Sequence, residues 1–306
     1  MFDVILLDPK STKPDLFIGC VGYENRSLEA FKKNMASGFV GRSLIFDYCS
    51  GDLFSYPENR NNELLNKAEL IEDFGNFIDA ISGYLTENEP VSVQLDVTSF
   101  DREKLALILK KLFDQSSQVA TVTICYFPMA FSPPSHSLEI VRSFGPVIPA
   151  FIGEASFSRD SLALIIGAGY EYGRAVGAID MLEPDRIYCM SPVGTDPRFE
   201  VEIEKNNLEF SFLDEDELLQ RYDLLRPDTL FYDIRRIVEF ENQERNVLIL
   251  PMGPKIFAAV SIILALVLHP SIMVWRHSTA TTNAPSSTSD AMASGADIRM
   301  AFKFSD

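Results

Sequence analysis

The chain has 306 residues, 46% of them apolar, enough for two ordinary buried cores at about 150 residues per domain. Twenty-seven basic against 44 acidic side chains leave a formal charge of −17. That excludes a duplex or a long RNA as the main partner, because such binders carry a basic face, and leaves room for a small anion held by a few local cations. Cys20, Cys49, Cys125 and Cys189 are scattered and form no C-x-x-C pair, which fits reduced thiols in a cytoplasmic protein. The start, MFDVILLDPK, has an early acid and only a short apolar run, unlike a signal peptide.

Residues 4–7 read as a short strand closed by a turn bounded by Pro9 and Pro14. Residues 15–21, DLFIGCV, read as a buried strand that runs into Gly22-Tyr23-Glu24-Asn25-Arg26 and a helix over 27–35. A strand over 43–48 precedes a polar loop with Ser50, Gly51 and Asp52. Over 63–85, Leu64, Leu65, Ala68, Ile71, Phe74, Phe77, Ile78 and Ile81 have helical spacing and predict an amphipathic helix or helix pair. Residues 91–109, VSVQLDVTSFDREKLALIL, are an apolar strand that ends in a hydroxyl-rich turn and enters a helix directly. Residues 119–127 are another strand. Strands alternating with helices mean crossover units and a largely parallel sheet, an α/β fold. Residues 131–137 form a proline- and serine-rich loop, and 141–151 return as an edge strand broken by Pro146 and Pro149.

The second half repeats this order. Residues 162–167, LALIIG, match 16–19, and both strands lead to a Gly-Tyr-Glu triplet and an arginine: Gly22-Tyr23-Glu24 with Arg26, Gly169-Tyr170-Glu171 with Arg174. Aligning Gly19 with Gly167 sets Arg26 over Arg174. Residues 186–191 echo 42–47, and an acidic helical region spans 214–244. Residues 247–250 and Pro251-Met252-Gly253-Pro254-Lys255 enter an apolar helix as 91–102 enter theirs; 272–275 match 122–126. A Ser/Thr/Ala loop over 278–296 and an edge strand over 298–304 complete the second unit. Internal duplication of this kind signals a repeated architecture: two tandem Rossmann-like units, 1–155 and 156–306, with a boundary near Ser156.

In such a sheet, ligands bind where strand ends meet helix amino ends, whose free N–H groups accept anions. Asp96, Thr98, Ser99 and Arg102 bring an acid, two hydroxyls and a cation to that place in the first half, and Gly253 and Lys255 occupy it in the second. The plainer reading is that Thr98 or Ser99 caps the helix, with Asp101 and Glu103 complementing its dipole. Two such turns in equivalent places are harder to assign to capping alone. Packing of the halves side by side, as in a homodimer, would turn both toward one composite pocket suited to a roughly symmetric ligand.

The D-x-T-x-x-x-R spacing of Asp96, Thr98 and Arg102 resembles the motif of CARF domains, the CRISPR-associated Rossmann-fold sensors, and Gly253-Pro254-Lys255 is similar to the Gly-Thr-Lys turn of some members. The likeness spans the strand-helix core of both halves, about 15–127 and 162–277. It implies recognition of a cyclic oligonucleotide or related nucleotide in the cleft between the halves, with Thr98, Arg102 and Lys255 as contacts, and a role as sensor in an anti-phage defence pathway. Gly22, Glu24, Arg26, Gly169, Glu171 and Arg174 complete the expected ligand-binding set. The second half lacks the Asp and Thr of the motif, so the site would be asymmetric, and no recognisable effector domain follows. A stand-alone sensor, one dependent on an effector protein, a nucleotide hydrolase or phosphodiesterase using the same cleft, and a protein-binding partner of a toxin are the readings that remain. Each is compatible with a homo-oligomer.

Other motifs point nowhere stronger. Residues 167–173, GAGYEYG, are one residue off the dinucleotide fingerprint and lack the acidic ribose partner about twenty residues later. His136, His269 and His277 are not at ligand spacing, so no metal and no cofactor is expected. No G-x-S-x-G elbow or Walker loop is present. Glu24 and Glu171 are either general bases beside the turn or dipole partners of their helices; no catalytic residue is identified. Residues 256–268 are apolar all round, but at about 1.5 Å rise per residue they reach roughly 20 Å, short of a ~30 Å bilayer core. They read as a buried helix covered by its own sheet and by the opposite domain or a subunit partner.

Overall fold

The apolar runs become the inner strands of two separate, mainly parallel sheets in the computed structural model, which describes residues 3–10, 13–133, 143–153, 161–169, 174–206, 219–278 and 292–305. The chain begins β1 (Asp3–Leu7), β2 (Leu16–Val21), a 3-10 turn over Asn25–Leu28, α1 (Glu29–Ala36), β3 (Arg42–Asp47), α2 (Tyr56–Arg60), β4 (Glu69–Ile71), α3 (Phe74–Glu87), β5 (Val91–Asp96), α4 (Arg102–Asp114) and β6 (Val119–Tyr126). It continues β7 (Ser143–Pro146), β8 (Leu162–Gly167), α5 (Arg174–Leu182), β9 (Arg186–Val193), α6 (Arg198–Asn206), β10 (Leu219–Asp223), α7 (Pro227–Glu241), β11 (Asn246–Leu250), α8 (Lys255–Leu268), β12 (Ile272–Ser278) and β13 (Ile298–Ser305).

Both sheets use one order. The first runs β1-β13-β6-β5-β2-β3-β4 and the second β10-β9-β8-β11-β12-β7. In each, the chain goes outward over three parallel strands from a central one, then returns to the other side of that strand for two more. The reversal falls between β2 and β5, and between β8 and β11. These are the switch points of a Rossmann-like α/β fold.

The outer strands depart from expectation. β7 pairs antiparallel with β12 in the second sheet, and β13 pairs antiparallel with β6 in the first, where β1 then covers its outer edge. Each last parallel strand thus receives its antiparallel neighbour from the other half of the sequence. The chain accordingly divides into Met1–Ala130 with Ser287–Asp306, and Phe131–Ser286, and not into 1–155 and 156–306. Alternation shows that 141–151 and 298–304 want to be strands, but says nothing of which edge they join. The expected boundary at Ser156 lies outside the described residues.

Two helical expectations are also corrected. Within 63–85, the 3-10 turn Glu63–Lys67 and the short strand β4 come before α3, whose start is fixed by Asp73 accepting the Asn76 N–H at 2.8 Å. Leu65 is buried, with Leu64, Ala68 and Leu70 packed on the same Phe17–Phe31 cluster, so helical spacing here reflected a shared core rather than one helix. In the acidic region, residues 214–218 lie outside the described residues, and β10 precedes α7. Glu241, at the end of α7, is fully buried, where it accepts from Tyr188 and from Arg245 (2.8 Å) and lies 3.3 Å from Arg186.

α8 carries the expected burial: every residue from Ile256 to Val267 is enclosed. Part of its cover is α7 of the same unit, which presents Leu230, Phe231, Ile234, Ile237 and Val238 on one stripe, together with β12. Among the described residues no helix is long and apolar enough to cross a membrane. Ile263 is 0% exposed, so Ile263→Asp places an unpaired carboxylate in the core at a cost of several kcal/mol. That variant is expected to be insoluble or unfolded, as read by its recovery and circular dichroism; a folded, soluble variant would show that α8 is not a core helix.

Candidate functional site

At the first switch point three loops meet: Gly22–Arg26 after β2, Val97–Asp101 after β5, and Phe127 after β6. They are joined through the peptide groups of Phe127. The Thr98 hydroxyl accepts the Phe127 N–H at 3.0 Å, and Arg26 Nη1 donates to the Phe127 carbonyl at 2.8 Å. Thr98 also serves Asp96, whose Oδ1 accepts the Thr98 N–H at 2.9 Å and whose carboxyl bonds the Thr98 side chain. Across the crevice, Ser99 Oγ donates to Glu24 Oε2 at 3.1 Å, and the same carboxylate lies 3.3 Å from Arg26 Nη2. Asn59 of α2 holds the base of the first loop by donating to the carbonyls of Gly22 (3.1 Å) and Glu24 (2.8 Å).

The electrostatics follow from enclosure. Burial disfavours the Arg26 charge, but Glu24 and Tyr126 outweigh it and leave the guanidinium more firmly protonated than usual. Asp96 is 2% exposed, and burial outweighs its bonds from Thr98 and the nearby Arg26, raising its carboxyl from 3.8 to about 7. Asp101, and not Thr98 or Ser99, caps α4, accepting the Lys104 N–H at 2.9 Å and the Tyr48 hydroxyl at 2.9 Å. Lys104 lies over the rings of Phe46, Tyr48 and Phe74. Arg102 opens α4 and is half-buried, as is Ser99.

The expected residues therefore divide. Gly22, Glu24, Arg26, Asp96, Thr98 and Ser99 come together in one hydrogen-bonded cluster, and Arg102 begins the helix that follows it. In the second unit, sheet register puts the triplets in step. Leu16 pairs with Arg42 and Ala163 with Arg186, so Gly22 corresponds to Gly169; residues 170–173 lie outside the described residues, and Arg174 starts α5. Leu16 and Ala163 also pair with Val93 and Val247, which sets Asp96, Thr98, Ser99 and Asp101 against Leu250, Met252, Gly253 and Lys255. The turns are equivalent but the chemistry is not. Gly253 has φ +69, and a Cβ there would lie 2.3 Å from the Ala168 carbonyl oxygen, so the two loops touch backbone to backbone. Lys255 opens α8 and is half-buried, as is Gly169; Glu171 lies outside the described residues. Deeper in the sheet, Gln94 beside Thr123 gives way to Leu248 beside Met273. Among the described residues of the two switch points, the buried polar side chains belong to the first unit.

Sequence reasoning missed several members. Phe127 contributes only backbone, which no side-chain pattern reveals, and Asn59 is an unremarked residue of a short helix. Asp47 closes β3 beside Val21, at the strand end where Rossmann folds carry an acid; its place after a strand that follows a glycine turn was the available signal. It accepts from Tyr56 (2.6 Å), Cys49 N–H (2.9 Å) and Arg60 (2.6 Å). Asp47, Cys49 and Glu72 have donor atoms within 4.8 Å of one another. Burial and the Asp47 charge push the Cys49 thiol up, away from the thiolate a metal needs, and the Asp47 carboxylate already holds Arg60. All four cysteines are unpaired, and only Cys49 is exposed.

No family model matches the chain, and no curated protein does. Among solved structures, a human N-acetylserotonin methyltransferase in complex with SAM aligns at 11% identity over 38% of this chain and 31% of that one, with a TM-score of 0.21. The chain thus spans under a third of that protein's length, and an overlap so slight assigns neither family nor ligand.

Thr98→Val leaves the Phe127 N–H and one Asp96 oxygen unsatisfied and is expected to cost about 1–3 kcal/mol. Arg26→Met strands the Phe127 carbonyl and the Glu24 carboxylate and is expected to cost more, about 3–5 kcal/mol. Urea unfolding reads both; neutral substitutions would show that these side chains do not hold the loops. For Asp96, a folded value raised above the unfolded one gives stability that is greatest below 3.8 and is lost as pH rises through about 7, by up to about 1.4 kcal/mol per pH unit. Asp96→Asn keeps an acceptor for the Thr98 N–H. Its stability relative to wild type is expected to rise from about pH 4 to 7 and then level; a constant difference would contradict the assignment.

Proposed function

We propose that the protein is a nucleotide-binding sensor of an anti-phage defence pathway, taking a cyclic oligonucleotide or related nucleotide at the switch point of its first sheet. The observation that carries this reading is the Asp96–Arg102 turn itself, held rigidly at the strand-order reversal with Ser99, Arg102 and the first turn of α4 at its rim. A phosphate there would meet helix N–H groups and a guanidinium. The defence assignment rests on the likeness of the D-x-T-x-x-x-R turn to CARF domains. Within it, Thr98 is a positioning residue, because its hydroxyl already serves Phe127 and Asp96, and Arg102 is the contact. Hydrolysis through Glu24 finds less support, since that carboxylate is already engaged by both Arg26 and Ser99.

Calorimetric titration with nucleoside monophosphates, linear dinucleotides, cyclic di-AMP, cyclic di-GMP and cyclic tri- and tetra-adenylate tests the proposal. Binding of at least one cyclic probe is expected, with Arg102→Ala, in a protein that remains folded, weakening it by about ten-fold or more, the ~1.4 kcal/mol or greater of a lost charged contact. No binding to any probe, or full affinity in a folded Arg102→Ala protein, would overturn it.

A further inference from the structure

Two carboxyl groups and one guanidinium share the enclosed cluster beneath the candidate turn, and their partners are not shared equally. Glu24 takes Arg26, whose Nη2 lies 3.3 Å from its Oε2. Asp96 is bonded by Thr98, through its N–H at 2.9 Å and its hydroxyl. The other charges facing Asp96 are matched elsewhere. Arg299 of β13 pairs with Asp297 through contacts of 3.0 and 3.1 Å, and Lys33 of α1 lies 3.4 Å from Asp297. Among the described residues, a further titratable neighbour is the Cys125 thiol of β6, which burial pushes well above its usual value. Asp96 is thus a buried acid whose hydrogen bonds come from neutral donors, placed directly before the turn that would hold a phosphate.

We propose that Asp96 couples this turn to protons: an anion bound on Ser99 to Arg102 is accompanied by proton uptake at Asp96, so binding tightens as pH falls from about 8 to 6. The inference rests on the nucleotide-binding reading above. Its physics is like-charge repulsion at short range in a poorly solvated cluster. A phosphodiester at the amino end of α4 makes a second negative charge at Asp96 costlier, and the carboxyl responds by holding its proton. Burial has already brought that carboxyl to about 7, so a further rise falls within the ordinary pH range. Linkage makes the effect reciprocal, so protonation favours binding to the same degree. Asp96 acts through Thr98 and the field, and touches no ligand.

The test uses whichever cyclic probe binds, because a phosphodiester has no group of its own titrating between about pH 6 and 8. In wild type, affinity is expected to fall by about five-fold as pH rises across that range, the response to a ligand that makes Asp96 hold its proton about ten times more strongly. Asp96→Asn is expected to bind at the wild-type low-pH strength and to vary by less than about two-fold. Wild-type titrations near pH 7 in PIPES and in Tris, which differ in ionisation heat, count the protons directly and serve even if the variant fails to fold; net uptake is expected. Intact binding with no pH dependence, no proton uptake, or the same pH dependence in Asp96→Asn would overturn the coupling and leave the nucleotide reading standing. No binding of any probe would remove both.

Discussion

The first unit depends on the backbone of one residue being held from two sides. Thr98 takes the N–H of Phe127 and Arg26 takes its carbonyl, and since these two residues lie on different loops, the grip fixes the ends of β2, β5 and β6 at once. All of the groups involved are buried, so breaking either contact leaves a polar atom with no water to replace its partner. Asp96 and Glu24 are secured as consequences, one behind Thr98 and the other beside Arg26. The cluster sits where the strand order reverses, which is where an open α/β sheet leaves room for a ligand.

The second unit shows what the same topology does without that chemistry. Leu250, Met252 and Gly253 stand where Asp96, Thr98 and Ser99 stand in the first, and the loops close by direct backbone contact made possible by the left-handed Gly253. Leu248, Leu250 and Met252 belong to an apolar cluster with Leu164, Ile166 and Ala168. Among the described residues, the first switch point is lined by polar side chains, and the strand end before the second, Leu248 to Met252, packs into an apolar core. The first sheet draws its antiparallel strand β13 from beyond the whole second unit, whereas β7 opens the continuous segment that builds the second sheet.

What was legible in the sequence follows from which interactions are local. Apolar runs gave β2, β5, β6, β8, β11 and β12, and the strand-turn-helix at Asp96 to Arg102 is where expected, because each depends on periodicity and on neighbours in the chain. The destinations of β7 and β13 depend on edge pairing at long separation and left no trace in either segment. β4 was hidden because Leu64, Leu65 and Ala68 have helical spacing for a different reason, the packing of a turn, together with Leu70 of the edge strand, on one shared core. Aligning Gly19 with Gly167 slipped the two strands by one residue, since strand register, set by Arg42 and Arg186 on the neighbouring strands, puts Gly22 with Gly169. In the site, the motif spacing found the right turn but not the roles within it. Thr98 looks like a surface hydroxyl in sequence, and only its burial under Phe127 shows it to be internal.

The central claim is that a ligand phosphate rests on the outer side of this turn while its inner hydrogen bonds stay closed. A crystal structure with a bound cyclic oligonucleotide tests it most directly. The account predicts a phosphate oxygen within hydrogen-bonding distance of Arg102 and of backbone N–H groups at the start of α4, with the Thr98 and Arg26 bonds to Phe127 unchanged. A ligand bound away from the first switch point, or one contacted by a Thr98 side chain released from Phe127, would contradict it.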